Sequence, residues 1–455
     1  MKHDAVLIFD IGKTNKKIMI FDLSLKVLHQ EEEIFPEITD DDGFSCDDID
    51  KVETWIFDAL TRYSESSSYT IKAINFATYG ATLMYVDKNG KRLTPVYNYL
   101  KEIPESISED VYQRYGGKAE FCRRSASPAL SMLNSGFQIR WLKKVKPEVF
   151  AKVEQIMHFP QYLSYLLTGK VTSEFTSIGC HTAMWDFDNM NYHPWLASEN
   201  ISLPQPQPVN SIYTVQVNGK KMEAGIGIHD SSASLAPYLR GCNDEFLLVS
   251  TGTWCISMNP FNHTPLTEDQ LAKDCLCYMS INGTPVKSSR VFLGHMHDET
   301  LKTLNSYFPV SDDYYKKVQP DAAIIKSLRS SRGSSRFFFK EGIDNNQSEK
   351  TFNLNQFKNF EEAYHQLMLD CASLVAESID LILSGNTVKK IFVTGGFSKN
   401  PIFTGLLAHH FPGMEVYTSE ISNATSLGCA MITVEKLVGL DAVKIDLGLK
   451  KQEVL

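Results

Sequence analysis

Apolar runs alternate with short polar turns from the first residues onward. Ala5–Phe9 is apolar, Asp10–Lys16 is a polar turn containing Gly12, and Ile18–Phe21 is apolar again, ended by Asp22. Two such runs joined by such a turn predict a β-hairpin. From Asp47 to Tyr63 the period becomes helical, with Ile49, Val52, Ile56, Phe57 and Leu60 expected on one buried face. Strands are expected at Ile71–Phe76 and Ala81–Val86, the second followed by the turn Asp87–Gly90. Helices are expected at Leu130–Val145 and Val149–Thr168, with Gly169 suited to the C-terminal cap.

The opening pattern returns about 240 residues later. Glu245–Val249 is apolar, Ser250–Trp254 is a small polar turn around Gly252, and Cys255–Met258 is apolar. A repeat of that size predicts two similar α/β halves, each opening with a hairpin. The Pro-rich stretch Leu203–Pro208 and a strand ending near Glu223 put the boundary before Gly225, with halves of 1–224 and 225–455. Further on, Phe360–Leu383 reads as a helix, Lys389–Thr394 as a strand running into Gly395-Gly396, and Pro401–His410 as a helix. Ser422–Met431 opens the last long helix, and Ser327–Arg336 reads as an exposed loop.

Composition narrows the class. The chain has 455 residues, 43% hydrophobic and 22% charged, enough for more than one core and unlike a disordered protein. Its 45 basic and 54 acidic residues leave a net charge of −9, which argues against a nucleic-acid partner. No apolar run approaches the roughly 18 residues that cross a bilayer. The N-terminal run is too short for a signal-peptide core. The expectation is a soluble, cytoplasmic protein without a membrane partner. Nine cysteines, irregularly spaced, suggest free thiols rather than a disulfide framework or a zinc site.

Four constellations carry candidate chemistry. In the first turn, Gly12 lets backbone N–H groups approach an anion, Thr14 and Asn15 add polar contacts, and Lys13, Lys16 and Lys17 add charge. Asp10, at a strand end, could hold Mg²⁺ through water. In the second turn, Thr251 and Thr253 flank Gly252, the chemistry of another phosphate cradle. In the third, Gly225–Ala233, His229 and Asp230 precede a helix start; Asp230 suits a general base on a sugar hydroxyl, and equally an N-cap. In the fourth, Gly395-Gly396 after a strand would let a flat nucleotide base lie against the backbone. The histidines at 295, 297, 409 and 410 read as surface or satisfied core positions.

In this order the motifs resemble the FGGY family of carbohydrate kinases, within the actin-like ATPase superfamily. Asp10-Ile-Gly-Lys-Thr14 and Ser250-Thr-Gly-Thr-Trp254 resemble its two phosphate motifs, Thr394–Pro401 its adenosine motif, and Gly227–Ala233 the segment bearing its catalytic Asp. The rhamnulokinase and fuculokinase branch is similar at Thr78-Tyr-Gly-Ala81, Phe159–Gly169, Glu174–Ser177 and His229-Asp230. The resemblance implies two ribonuclease-H-like domains around a central cleft. The N-terminal domain would hold the sugar and the first phosphate motif, and the C-terminal domain the catalytic Asp and the nucleotide.

The implied reaction is ATP- and Mg²⁺-dependent phosphorylation of a terminal hydroxyl of a ketose: a deoxy-ketohexose such as L-rhamnulose or L-fuculose, or a ketopentose. Asp230 would be the base and Asp10 the Mg²⁺ ligand. Gly12, Lys13, Thr14, Asn15, Lys17, Thr251, Gly252 and Thr253 would hold phosphates. Gly395, Gly396 and Asn400 would contact adenosine, and Gly80, Thr82, His229 and Asp230 would line the sugar site. A homodimer is compatible with this reading. Three departures stand out: Thr82 where the family has Asp, Tyr99-Leu100-Lys101-Glu102 where it has Tyr-Arg-Asp, and Lys13 where it has a small polar residue. A nucleotide-binding switch and a sugar-responsive regulator with a kinase-like fold are the alternative classes.

Overall fold

The computed structural model describes residues 2–332, 335–340, 352–383, 385, 387–439 and 445–455. The chain opens as an antiparallel ribbon, β1 (His3–Ile11), β2 (Asn15–Asp22) and β3 (Val27–Ile34). Helix α1 (Ile49–Ser64) starts where the Asp48 carboxylate accepts the Lys51 N–H, 3.1 Å away. It carries the chain to β4 (Tyr69–Thr78), which lies parallel to β1. Hairpin strands β5 (Leu83–Val86) and β6 (Gln155–His158) pair antiparallel, and α2 (Phe159–Thr168) follows. Then come β7 (Ile212–Val217), β8 (Lys220–Gly225) and β9 (Ile228–His229). The first sheet has the order β7-β8-β4-β1-β2-β3, with β9 also on β4.

Helix α3 (Asp230–Gly241) leads into the second sheet. Its strands are β10 (Phe246–Thr251), β11 (Cys255–Asn259), β12 (Cys275–Met279), β13 (Pro285–Val291), β14 (Lys390–Gly395), β15 (Glu415–Thr418) and β16 (Lys450–Lys451). The order is β12-β13-β11-β10-β14-β15-β16. Helices α4 (Leu293–Tyr307), α5 (Ala322–Arg332) and α6 (Phe360–Asp380) lie between β13 and β14; α7 (Pro401–His410) and α8 (Ala424–Val438) follow. In both sheets the first hairpin strand sits between its antiparallel partner and a parallel strand reached through helices. Two domains of one topology, as in ribonuclease-H-like folds, therefore stand in one chain. Strands β1 and β10 are central and covered on both faces, which is why they read as unbroken apolar runs.

Helix α3 lies between the sheets. Ala233 and Ala236 pack with Val6, Ile8 and Ala73 of the first sheet and with α8, while Leu235 and Tyr238 pack with Phe246, Leu248 and Phe392 of the second. The outer faces are covered by α1 and α2 on one side and by α6 and α7 on the other.

Several local expectations change. Val149–Thr168 is not one helix: β6 interrupts it, and Pro160, which lacks an N–H, sits in the first turn of α2 where that costs nothing. Gly169 does close α2, at φ 62°. The strand expected from Ala81 begins at Leu83, because Ala81 takes a left-handed φ of 57°. The helix expected from Leu130 is a short 3-10 turn, Ser131–Leu133, and a helix from Ser135 to Val145. Phe57 is 43% exposed rather than on the buried face of α1. Ser327–Arg332 belongs to helix α5 because Ile325 and Leu328 bury into the core, an apolar spacing hidden by the serines; Gly333 and Ser334 lie outside the described residues. All nine cysteines are free thiols. No helix among the described residues is long and apolar enough to cross a membrane.

Candidate active site

The β1–β2 turn is closed by the Gly12 N–H donating to the Asn15 carbonyl at 2.9 Å. Asp10, at the end of β1, accepts a hydrogen bond from the Ser426 hydroxyl at 2.5 Å, which ties the first sheet to the start of α8. Lys17 donates to Asn423 at 3.2 Å at the same junction. The β10–β11 turn is closed alike, Gly252 N–H donating to the Trp254 carbonyl at 3.0 Å.

Asp230 opens α3, and His229 is its N-cap, so the carboxylate is not the cap. It accepts the Ser231 N–H at 2.6 Å and lies 3.2 Å from His229 Nε2. A third of its side chain stays accessible, 32%, yet the carboxyl is ringed by protein, and burial pushes its pKa up to about 6. Burial also raises Asp10 to about 6; Ser426 opposes the rise and the neighbouring Asp230 adds to it. Two close, hard carboxylates that each favour a proton are chemically suited to a Mg²⁺ ion that keeps most of its waters. The acidic trio Asp40, Asp41 and Asp42 is not a competing site: Lys101 and Lys146 already pair with it.

Two cavities flank the second hairpin. One, of about 290 Å³, is walled by both domains: Tyr79, Gly80, Ala81 and Tyr99 face Ser250, Met258, Tyr278 and Arg290, with His229 and Ser231 on either side of Asp230. The other, of about 470 Å³, is lined by Gly252, Thr253, His297, Tyr315, Lys316, Gly396, Phe397 and Asn400. Ser250 and Gly252, two residues apart, thus open into different cavities. Between them Thr251 turns inward and joins the fourth motif: its hydroxyl donates to the Thr394 carbonyl and accepts the Phe397 N–H. Gly395 sits at φ 85°, and a Cβ there would lie 1.8 Å from the Thr251 carbonyl oxygen, so no other residue fits.

Family models match both halves of the chain. Residues 5–227 match the family model described as FGGY family of carbohydrate kinases, N-terminal domain, and residues 243–440 match Carbohydrate kinase FGGY, C-terminal domain. The chain belongs to the FGGY family of carbohydrate kinases. It is 29% identical over 242 residues to a rhamnulokinase of Yersinia pestis, an alignment covering 50% of this chain and 47% of the relative. A rhamnulokinase of Klebsiella pneumoniae is 26% identical over 277 residues, 57% of this chain and 54% of the relative. The chain thus spans about half the length of the curated relatives it matches. Among solved structures, a carbohydrate kinase from Novosphingobium aromaticivorans has a TM-score of 0.81 at 24% identity, over 100% of this chain and 95% of that one. Plasmodium falciparum glycerol kinase with ADP has a TM-score of 0.73 at 15% identity, over 100% and 95%.

Against the FGGY pattern, some candidate side chains are placed differently from expectation. Lys13 does not face the turn's mouth; its Nζ lies 2.7 Å from both Asp47 and Glu37. Asn15 donates to Glu32, and Thr14 is exposed at the tip. The Thr251 hydroxyl is engaged within the fold. Asn400 lines the larger cavity but caps α7, accepting the Ile402 and Phe403 N–H groups, and donates to Tyr364. Thr82 is 1% exposed and stands behind the smaller cavity, whose wall is Ala81 instead. Gly80 does line that cavity, packed against His229. Leu100 is 66% exposed, and Lys101 turns to Asp40 at 2.8 Å, so of that departing segment Tyr99 alone faces the smaller cavity.

Other lining residues carried no signal in the sequence. Arg290 and His181 reach the smaller cavity. His297, taken as a surface or satisfied core residue, lines the larger one with Nε2 unpartnered. Burial holds its pKa below the usual histidine range. His-x-His spacing alone gave no reason to place it there. Arg290 would have been found only by pairing β13 with β11 opposite Ile256.

Proposed function

We propose that the chain transfers the γ-phosphoryl group of ATP to a terminal hydroxyl of a ketose. The carrying observation is Asp230, a carboxylate with its pKa raised to about 6, flanked in the chain by two residues that line a sugar-sized cavity and near enough to Asp10, at the end of β1, to raise that carboxyl. The acceptor hydroxyl would lie against Asp230, which takes its proton as the oxygen bonds to the γ-phosphorus and ADP leaves with the electrons of the broken P–O bond. A pKa near 6 leaves the base ionised at neutral pH while keeping it more basic than an ordinary Asp. Asp10, aligned by Ser426, would hold a hydrated Mg²⁺, which supplies positive charge to the phosphates. Backbone N–H groups of both turns and Lys17 would hold phosphate oxygens. Gly395 and Gly396 would lie against the adenosine, with Phe397 and Tyr315 as ring surfaces. Asn400 contributes by fixing the start of α7.

Tyr79, Tyr99, Ala81 and Met258 give the smaller cavity an apolar side, which suits the methyl group of a deoxy-ketohexose. L-rhamnulose and L-fuculose therefore head the candidates, in keeping with the names of the Yersinia and Klebsiella relatives. Residues 1–224 form the sugar half and 225–455 the catalytic and nucleotide half in this proposal, which also takes the chain to be a cytoplasmic homodimer.

The test is coupled ADP release over L-rhamnulose, L-fuculose, L-xylulose, D-xylulose, L-ribulose, D-ribulose and glycerol, with Asp230→Asn as control. Sugar-dependent release abolished in the variant supports the reading. Release independent of every sugar would point to a nucleotide switch instead.

A further inference from the structure

Three side chains converge on one buried carboxylate beneath the first hairpin. Lys13 Nζ lies 2.7 Å from Asp47 Oδ2, Lys16 Nζ 2.9 Å from Oδ1, and the Tyr79 hydroxyl donates to Oδ2 at 2.7 Å. The Lys16 side chain is 1% exposed and that of Asp47 5%. Lys16 also donates to the Lys13 carbonyl at 2.9 Å, bracing the turn from below. Glu37, 2.7 Å from Lys13, brings the cluster to neutrality. Burial alone would raise the Asp47 carboxyl; Lys13 and Lys16 override it and hold it below the usual carboxylate range. Burial and Asp47 keep the Tyr79 phenol protonated, so it remains a donor.

The two ends of this cluster belong to different sites. Lys13 lies in the β1–β2 turn, and Lys16 is the second residue of β2, paired with Ile11. Tyr79 lines the smaller cavity, where its ring lies 6.0 Å from that of Tyr99. In a buried charged network the loss of one partner leaves the others unsatisfied at high cost, so a satisfied network holds its members rigidly together. We infer that Asp47 is a positioning residue that ties the first phosphate hairpin to the wall of the sugar cavity through Tyr79, so that sugar seated on Tyr79 stiffens the turn that grips the nucleotide. This inference rests on the kinase reading above and deepens it. It gives Lys13 a part in phosphate binding without a phosphate contact.

Amide hydrogen exchange and ligand linkage test it together. In Asp47→Asn, exchange at the Gly12 amide should rise about tenfold to a hundredfold, the loss expected for charged hydrogen bonds, while the Gly252 amide of the second hairpin keeps its native rate. Tyr79→Phe keeps the ring in the cavity wall and removes only the hydroxyl, and also covers the case in which Asp47→Asn does not fold. In that variant Gly12 should loosen too. Its kcat should fall about tenfold with the sugar KM within about twofold of native, and L-rhamnulose, expected to tighten ADP binding in the native chain, should no longer do so. Native exchange at Gly12 in both variants overturns the inference, as does an equal rise at Gly252, which marks general loosening. If no sugar of the panel is phosphorylated but Gly12 alone loosens, the kinase reading fails and the tether to Tyr79 stands.

Discussion

The two hairpins have the same place in the same topology but are held by different forces. The first is fixed by charge: Lys13 and Lys16 reach down to buried Asp47, and Lys17 reaches across to Asn423. The second carries no ionisable side chain in its turn and is fixed by contact, with Thr251 hydrogen-bonded to the Gly395 turn and the backbones too close for any Cβ. An ion-pair cluster can shift as a unit when one partner moves, whereas a close backbone contact cannot. Under the inferred coupling the first hairpin responds to the sugar through Tyr79, while the second stands as a wall between two cavities.

The largest expected effect tests the premise that both hairpins serve one carboxylate. Asp230→Asn should lower turnover about 10²–10⁴-fold with nucleotide affinity retained. Near-native phosphorylation would leave the hairpins without a reaction to share. Next comes the contrast in rigidity. Gly395→Ala must adopt a left-handed φ and pushes a methyl into the Thr251 carbonyl, so it should cost about 2–5 kcal/mol and nucleotide binding. Gly12→Ala meets the Asn15 carbonyl at 2.9 Å without that φ penalty and should cost about 1–2 kcal/mol. Equal costs by denaturant unfolding would erase the distinction between the two turns.

A pH profile sharpens it further. Asp230 and Asp10 both stand at about 6 and influence each other, so kcat/KM should fall as pH drops through about 6, with an apparent pKa belonging to the pair. An acid limb near 4 would show a base free of this environment. Thr251→Val removes two hydrogen bonds from the second hairpin and should cost about 1–3 kcal/mol, measured by thermal melting. The smallest effect concerns stability. Because the folded-state pKa of Asp230 lies above its unfolded value of 3.8, folding binds protons between about 4 and 6, and stability falls as pH rises through that window. Asp230→Asn should therefore melt higher than the native chain above pH 6, the gap closing as pH falls towards 4; a gap independent of pH would contradict the raised pKa.

Much of the fold was legible because its signals are local. The apolar runs of β1 and β10, their small polar turns, and the strand into Gly395-Gly396 each declare themselves within a dozen residues or so, and their order pointed to the family. Val149–Thr168 misled because helical periodicity and a short buried strand look alike over a few residues, until pairing with β5 separates them. The site was legible as a set of motifs and less so as a set of contacts. His229 and Gly80 line the smaller cavity, with Asp230 next to His229 in the chain and Asp10 near Asp230, but Thr82 stands one residue too deep, and Arg290 and His297 had no motif to announce them.

Chain order and residue type were enough to establish two like domains, a hairpin at the head of each and a carboxylate at the join, since hydrophobic period and turn chemistry depend on near neighbours. Where the polar side chains point was settled by packing. Lys13 goes to Asp47, Asn400 caps a helix and Thr251 joins two turns because the partners that satisfy a buried charge or hydrogen bond come from distant parts of the chain, and no pattern along the sequence records which of them will meet.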